Sequence, residues 1–158
     1  MGPDGGDGVK IRPVRREDRL GWLRLWADYH AYGRSGATAP PEQVTEATWG
    51  RFFQDHEPVE ALVAEQEGRP VGFAHLVFHR LTAAVAPVCS LQDLFVERAL
   101  HGRGIGRALI EAAYDHAQAS GARRVYWHVL ETNTPAVRLY DKVAARSGHV
   151  VYRKDFYF

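Results

Sequence analysis

Leu91-Gln-Asp-Leu-Phe-Val-Glu-Arg-Ala-Leu-His101-Gly-Arg-Gly-Ile-Gly106-Arg-Ala-Leu109 decides the fold. An apolar strand, Val88–Val96, runs into a turn with glycines at 102, 104 and 106, and a helix follows over Gly104–Ala119. In that helix Ile105, Ala108, Leu109, Ala112, Ala113 and His116 recur at the spacings of one buried face. A glycine turn that opens a helix leaves backbone N–H groups bare and approachable, which is how proteins bind phosphate. Two familiar phosphate loops do not fit. A P-loop needs Lys-Ser/Thr after its last glycine, where Arg107-Ala108 stands. A dinucleotide loop needs a further glycine at Arg107 or Leu109 and an acid near Tyr126. A glycine turn serving only close strand–helix packing is the bland alternative.

Upstream, Val9–Val14 alternates apolar and basic residues as a half-buried strand does. Glu17-Asp18 opens a helix whose acids complement its dipole, with Leu20, Leu23, Ala27 and His30 on one face and Trp22, Trp26 and Tyr29 beside it, ending at Gly33. Gly33–Pro41 reads as a loop, and Glu42–Asp55 as a second helix. Val59–Gln66 and Pro70–His79 form a hairpin across Glu67-Gly68-Arg69. Downstream, Arg123–Leu130 is a strand, Thr134 caps a helix with Pro135 first and Gly148 near its end, and His149–Phe158 is a last strand. The order β-α-α-β-β-β-α-β-α-β predicts an α/β (α+β) fold, a mixed and mainly antiparallel sheet with helices on both faces.

A chain of 158 residues buries roughly 70% of its unfolded surface as one domain. Residues 1–8, MGPDGGDG, have nothing to bury and are expected to be a disordered leader to a single domain over 9–158. With 20 Lys+Arg against 19 Asp+Glu, the chain offers no broad basic surface, so neither nucleic acid nor an anionic membrane is an expected partner. No apolar run is long enough to span a bilayer, and no secretory signal opens the chain, so a cytoplasmic location is expected. The single cysteine, Cys89, excludes an internal disulfide and sits in a strand-like run rather than a nucleophile elbow. No metal site is expected, since His75 and His79 share a strand face without a third ligand in view.

His101-Gly102-Arg103-Gly104-Ile105-Gly106 resembles the Gln/Arg-x-x-Gly-x-Gly/Ala signature of the GCN5-related N-acetyltransferases (GNAT), with His in the first position. Asn133-Thr-Pro-Ala136-Val-Arg-Leu-Tyr140 resembles that family's second element, Asn-x-x-Ala-x-x-x-Tyr. The resemblance covers nearly all of 9–158 and points to small single-domain enzymes similar to diamine and histone/polyamine-type acetyltransferases. Leu91–Val96 resembles their Leu-Glu-Asp-Phe/Leu-Phe/Tyr-Val strand, with Gln92 where diamine acetyltransferases carry a glutamate proposed as base. A carboxamide cannot take that proton at neutral pH.

The resemblance implies acetyl-CoA as cofactor. It places His101, Gly102, Arg103, Gly104, Ile105, Gly106 and Arg107 round the pyrophosphate. Leu94, Phe95 and Val96 would lie along the pantetheine arm, with a backbone N–H as oxyanion donor. Asn133 and Ala136 would contact that arm, and Tyr140 would be the general acid near the sulfur. Asp93, Glu131, His75 and His79 are candidate bases, each also readable as an ordinary structural side chain. Gln92, Trp26, Tyr29 and Tyr32 are candidate acceptor contacts; Trp26 and Tyr29 read equally well as core aromatics. The function implied is direct transfer of an acetyl group to a primary amine of a small molecule or a peptide lysine. A longer acyl-CoA, or a CoA-binding module without catalysis, are the alternatives. The apolar C-terminal run Val150–Phe158 needs a partner surface, which suggests a homodimer built through that strand.

Overall fold

The computed structural model describes residues 8–33 and 38–156. The expected leader therefore lies outside the described residues except for Gly8, as does most of the loop after Gly33. The chain divides into two compact units, 1–128 and 129–158.

The first unit is built on a five-stranded sheet in the order β1 (Lys10–Pro13), β2 (Val59–Gln66), β3 (Arg69–His79), β4 (Val88–Val96), β5 (Val125–Tyr126). Neighbours are antiparallel except β4 and β5, which pair in parallel. Between β1 and β2 come α1 (Arg19–Asp28), a π-turn at Tyr29–Gly33, and α2 (Glu42–Arg51); α3 (Ile105–Ala119) joins β4 to β5.

Alternation along β3 assigns its two faces. Phe73 belongs to a core with Trp22, Leu25, Trp26 and Tyr29, the latter two stacked at 5.8 Å between ring centroids, and with Trp49 of α2. On the opposite face a Cβ added at Gly72 would lie 3.3 Å from Leu109 of α3, and Phe78 meets His116. Helices thus cover both faces. The sequence reading put Leu20 on the buried side of α1, yet Leu20 is 81% exposed while Trp22, Leu25, Trp26 and Tyr29 are buried. Each large ring buries more area than a leucine, so the aromatic residues decide which side of the helix turns inward. Gly21 then lets α1 approach β3, because a Cβ there would come within 2.8 Å of Pro70.

Arg12 ties β1 to the start of α1 and to β2: its guanidinium donates to both oxygens of Asp18 at 2.8 Å and to Glu65 at 3.0 Å. Burial alone would raise the Asp18 carboxyl, but the bonds from Arg12 and from the Arg15 backbone N–H outweigh it and hold Asp18 below the usual carboxylate range.

Two departures concern β4 and β5. The register places Leu91 opposite Leu76 and Asp93 opposite His75, so Gln92 is an extra residue, a β-bulge. The bulge inverts the alternation, so that Leu91 shares the α3 face with Leu76 and Asp93 shares the α1 face with His75. The expected strand over Arg123–Leu130 is cut to two residues, because its only rungs on β4 are Cys89↔Val125 and Ser90↔Tyr126. Just beyond them β4 bends at the bulge, and residues 127–130 have no rung to join.

In the second unit α4 spans Thr134–Val143. Its cap is Asn133 rather than Thr134: the Asn133 Oδ1 accepts the Ala136 N–H at 3.4 Å, and Pro135 is second in the helix rather than first. The helix stops at Val143, five residues before Gly148, where Ala144 turns extended and Arg146 reaches back to Asp141. The last strand expected at His149–Phe158 is absent from its described residues, 149–156. Among the described residues no strand offers that segment a ladder, and a strand without a neighbour is not stable.

Candidate active site

The parallel rungs end at Ser90, so from Leu91 onward β4 has β3 on one side and no paired strand on the other, among the described residues. Glu97 N–H bonds to Val71 O at 2.8 Å, and successive peptide groups along a strand point to opposite sides. The N–H groups of Val96 and Leu94 therefore point away from β3, toward the open edge. An extended amide chain can add there as a strand would.

The strand ends in the glycine turn. Gly102 and Gly104 have φ of +79° and +83°, a backbone open to glycine at little cost and strained for other residues. A Cβ at either position would meet nothing within 4 Å. The first bond inside α3 is Ala108 N–H to Gly104 O, so the N–H groups of Ile105, Gly106 and Arg107 precede the helical ladder. Bare donors beside an open cradle, with Arg103 and Arg107 alongside, are a donor set for a pyrophosphate. The residues present fit coenzyme A.

His101 turns back on the strand rather than outward: its Nε2 donates to the Val96 carbonyl at 2.7 Å. Arg107 Nε donates to Glu111 at 3.0 Å, one turn along. Glu97, where strand becomes turn, takes bonds from Arg24 of α1 at 2.6 Å and from Arg69 of β3 at 3.1 Å. Burial pushes its carboxyl up, and the two arginines more than reverse that.

On the α1 face of the same strand, Asp93 Oδ2 is 2.9 Å from His75 Nδ1, and Asp93 Oδ1 accepts the Tyr29 hydroxyl proton at 2.7 Å. His75 Nε2 in turn accepts the Trp22 indole N–H at 3.0 Å. The sequence reading had Asp93, His75 and Tyr29 as separate candidates, and the fold brings them together. It missed Trp22 in this role, although Trp22 and Tyr29 are seven residues apart and so share a helical face.

The remaining candidates lie elsewhere. Trp26 is packed in the core with its N–H on Thr45 Oγ1 at 3.1 Å, a packing position. Tyr32 is exposed, with the Arg98 guanidinium 4.5 Å above its ring. Gln92 is the exposed residue of the bulge. His79 closes the far end of the sheet, on the Tyr126 hydroxyl at 2.7 Å and the Arg80 carbonyl at 3.1 Å. Cys89 is fully buried, and burial, with Glu60 adding, pushes its thiol up to about 12. In the second unit Asn133 caps α4, Ala136 and Tyr140 are half-buried on one side of it, and Glu131 is exposed. Burial pushes the Tyr140 phenol above its ordinary value.

A strand splayed from its parallel neighbour, feeding a glycine cradle at a helix N-terminus, is an arrangement suited to a transferase that uses coenzyme A. The chain belongs to the acetyltransferase (GNAT) family, whose model matches residues 20–144. It is an acyltransferase of the N-acetyltransferase kind, and enzymes of this family take their acyl group from acetyl-CoA. It is similar to the D-amino-acid N-acetyltransferase HPA3 of Saccharomyces cerevisiae, 30% identical over 153 residues that span 96% of this chain and 93% of that one. The mycothiol acetyltransferase of Thermobispora bispora is 30% identical over 156 residues, 96% of this chain but 52% of that protein, so the chain spans about half of it. Among solved structures, the ribosomal-protein-alanine N-acetyltransferase of Brucella melitensis biovar Abortus 2308 shares the fold with a TM-score of 0.80 at 23% identity, over 96% of this chain and 99% of that one.

Proposed function

We propose that this enzyme moves an acetyl group directly from acetyl-CoA to the primary amine of a small molecule, such as an amino acid or polyamine-like compound, or to a peptide lysine, with Asp93 as the general base. The observation that carries this reading is the pairing of an acceptor and a donor at one strand edge: the Asp93 carboxylate, held by His75 and Tyr29, directly precedes the outward Leu94 N–H. The similarity to a D-amino-acid N-acetyltransferase along nearly the whole of both chains supports an amino acid as acceptor.

Bound acetyl-CoA supplies an electrophilic thioester carbon and a thiolate leaving group. The chain's residues do the rest. An alkylamine with a pKa of about 10.4 is neutral in roughly one molecule in 2,500 at pH 7, a penalty of about 4.6 kcal/mol. A carboxylate beside the acceptor site gives the ammonium proton a path out to solvent, directly or through water. Leu94 N–H is the donor for developing negative charge on the carbonyl oxygen. The N–H groups of Ile105, Gly106 and Arg107, with Arg103, hold the pyrophosphate. By the family resemblance Asn133 holds the cofactor arm, its NH2 having no part in the cap, and Tyr140 gives its phenolic proton to the departing sulfur.

The buried thiol of Cys89 offers no route through an acyl-cysteine. The same reading includes a cytoplasmic setting and a homodimer in which residues 149–158 pack on a partner copy. Thiol release from acetyl-CoA against D- and L-amino acids, polyamines, aminoglycosides and basic peptides tests the proposal. Turnover with at least one amine, falling when Asp93 is replaced by Asn, is expected. Cofactor binding with no turnover on any amine, or greater turnover with a longer acyl-CoA, would overturn it.

A further inference from the structure

Four side chains form one run of hydrogen bonds with a single direction. An indole N–H only donates, so the 3.0 Å bond from Trp22 makes His75 Nε2 an acceptor. The proton of the ring therefore sits on Nδ1, where it points at Asp93 Oδ2, 2.9 Å away. Tyr29 brings a second donor to Oδ1 at 2.7 Å. Both ends of the run lead protons toward Asp93, and none of these bonds asks the carboxyl to carry one.

The imidazole has no room to choose another arrangement. It is 2% exposed, stacks on Phe73 at 4.3 Å and 6° between planes, and is flanked by Trp26 at 5.4 Å and Phe52 at 5.0 Å. The titratable groups bonded into the run are Asp93 from β4 and Tyr29 from the turn after α1; His30 of that turn packs on Tyr29 and Trp26. Both nitrogens of His75 are engaged, and the second bond ends on a carboxylate that is itself 13% exposed at the open strand. The bulge at Gln92 lies directly beside Asp93, and the π-turn starts at Tyr29; such irregularities often accompany functional sites.

We propose that Trp22 and His75 are positioning residues for acetyl transfer: the indole fixes the imidazole as its Nδ1–H tautomer, and that N–H, with the Tyr29 hydroxyl, holds the Asp93 carboxylate aimed to receive the amine proton. This rests on the reading of Asp93 as base. The tautomer is a property of the free enzyme and is measured apart from it.

Nitrogen-15 NMR of histidine-labelled protein without cofactor, at about pH 8 where a histidine is ordinarily neutral, is expected to show the His75 proton on Nδ1 rather than Nε2. Trp22→Phe keeps an aromatic ring and removes the donor. It is expected to admit the Nε2–H tautomer and to lower kcat/KM about 10- to 100-fold, as loss of an orienting partner does elsewhere. His75→Asn, whose carboxamide NH2 can stand in for Nδ1–H, is expected to retain the wild-type pH profile of kcat/KM, and His75→Leu to displace its acidic limb. An Nε2–H tautomer in the wild type overturns the proposal. So does an unchanged tautomer and rate in Trp22→Phe, or matching pH profiles in His75→Asn and His75→Leu should Trp22→Phe fail to fold. Full activity in Asp93→Asn with the tautomer as expected removes the base reading alone.

Discussion

The proposed acid, Tyr140, and the proposed base, Asp93, would serve opposite ends, and their surroundings differ. A general acid must hold its proton at the working pH. Burial raises the Tyr140 phenol above its usual value near 10, so the hydroxyl stays protonated across neutral pH and loses its proton only further into alkali than an exposed tyrosine would. Asp93 receives hydrogen bonds from the Tyr29 hydroxyl and the His75 ring, which fix where its carboxylate points. Tyr140→Phe removes the acid while keeping the ring. It is expected to lower kcat by about 10²- to 10⁴-fold, the usual contribution of such a group, with acetyl-CoA affinity little changed. The wild-type rate is expected to show no fall assignable to this phenol below about pH 10. A kcat within experimental error of wild type across pH 6–9 would take the role from Tyr140.

Among the elements, the ones legible in the sequence were those whose own residues determine them. The hairpin β2–β3 lies where alternation put it, and α3 begins within one residue of the predicted start, because period and glycine turn are local signals. What could not be read depends on pairing. The bulge at Gln92 exists only relative to β3, and by strict alternation Leu91, Asp93 and Phe95 would have shared a face. Without the bulge the His75–Asp93 contact has no sequence signal; the candidates were visible singly and their meeting was not. The early end of β5 and the missing last strand have the same origin, since a segment with high strand propensity still needs a ladder. That segment now carries a test. Val150, Val151, Tyr152 and Phe156 are exposed, Tyr152 by 92%, and a run of this kind is satisfied by packing on another surface. Sedimentation at micromolar concentration is expected to give twice the 17.8 kDa chain mass, reverting to the monomer when Tyr152 and Phe156 are both replaced by Ser. A wild-type monomer would sink the dimer.

For the whole molecule, a balance of +1 conceals separate groups of charges: Arg103 and Arg107 at the glycine turn proposed to hold phosphate, and ion pairs that join one element to the next. Those pairs set how stability depends on pH. Asp18, inside the buried Arg12 pair, and Glu97, between Arg24 and Arg69, both have carboxyls below their ordinary range. A lowered folded value means that their contribution is present above the unfolded value, near 4, and is lost as pH falls through the folded one. His116 runs the other way. Its bond at 2.8 Å to Glu60, joining α3 to β2, raises the imidazole more than burial lowers it. That contribution is present below the unfolded value, near 6.5, and disappears as pH rises through the folded one. The first unit is therefore expected to be most stable in mildly acid solution. Trp22, Trp26, Trp49 and Trp127 all lie in that unit, so tryptophan fluorescence during urea unfolding reports on it. Asp18→Asn, which leaves a buried guanidinium half-paired, is expected to cost about 3–5 kcal/mol at pH 7, and the deficit should shrink as the wild type is taken below about pH 4. His116→Gln should show its deficit at about pH 5.5 and lose it by about pH 9. A deficit for Asp18→Asn that does not depend on pH, or one for His116→Gln that grows toward alkaline pH, would contradict the sign of these linkages.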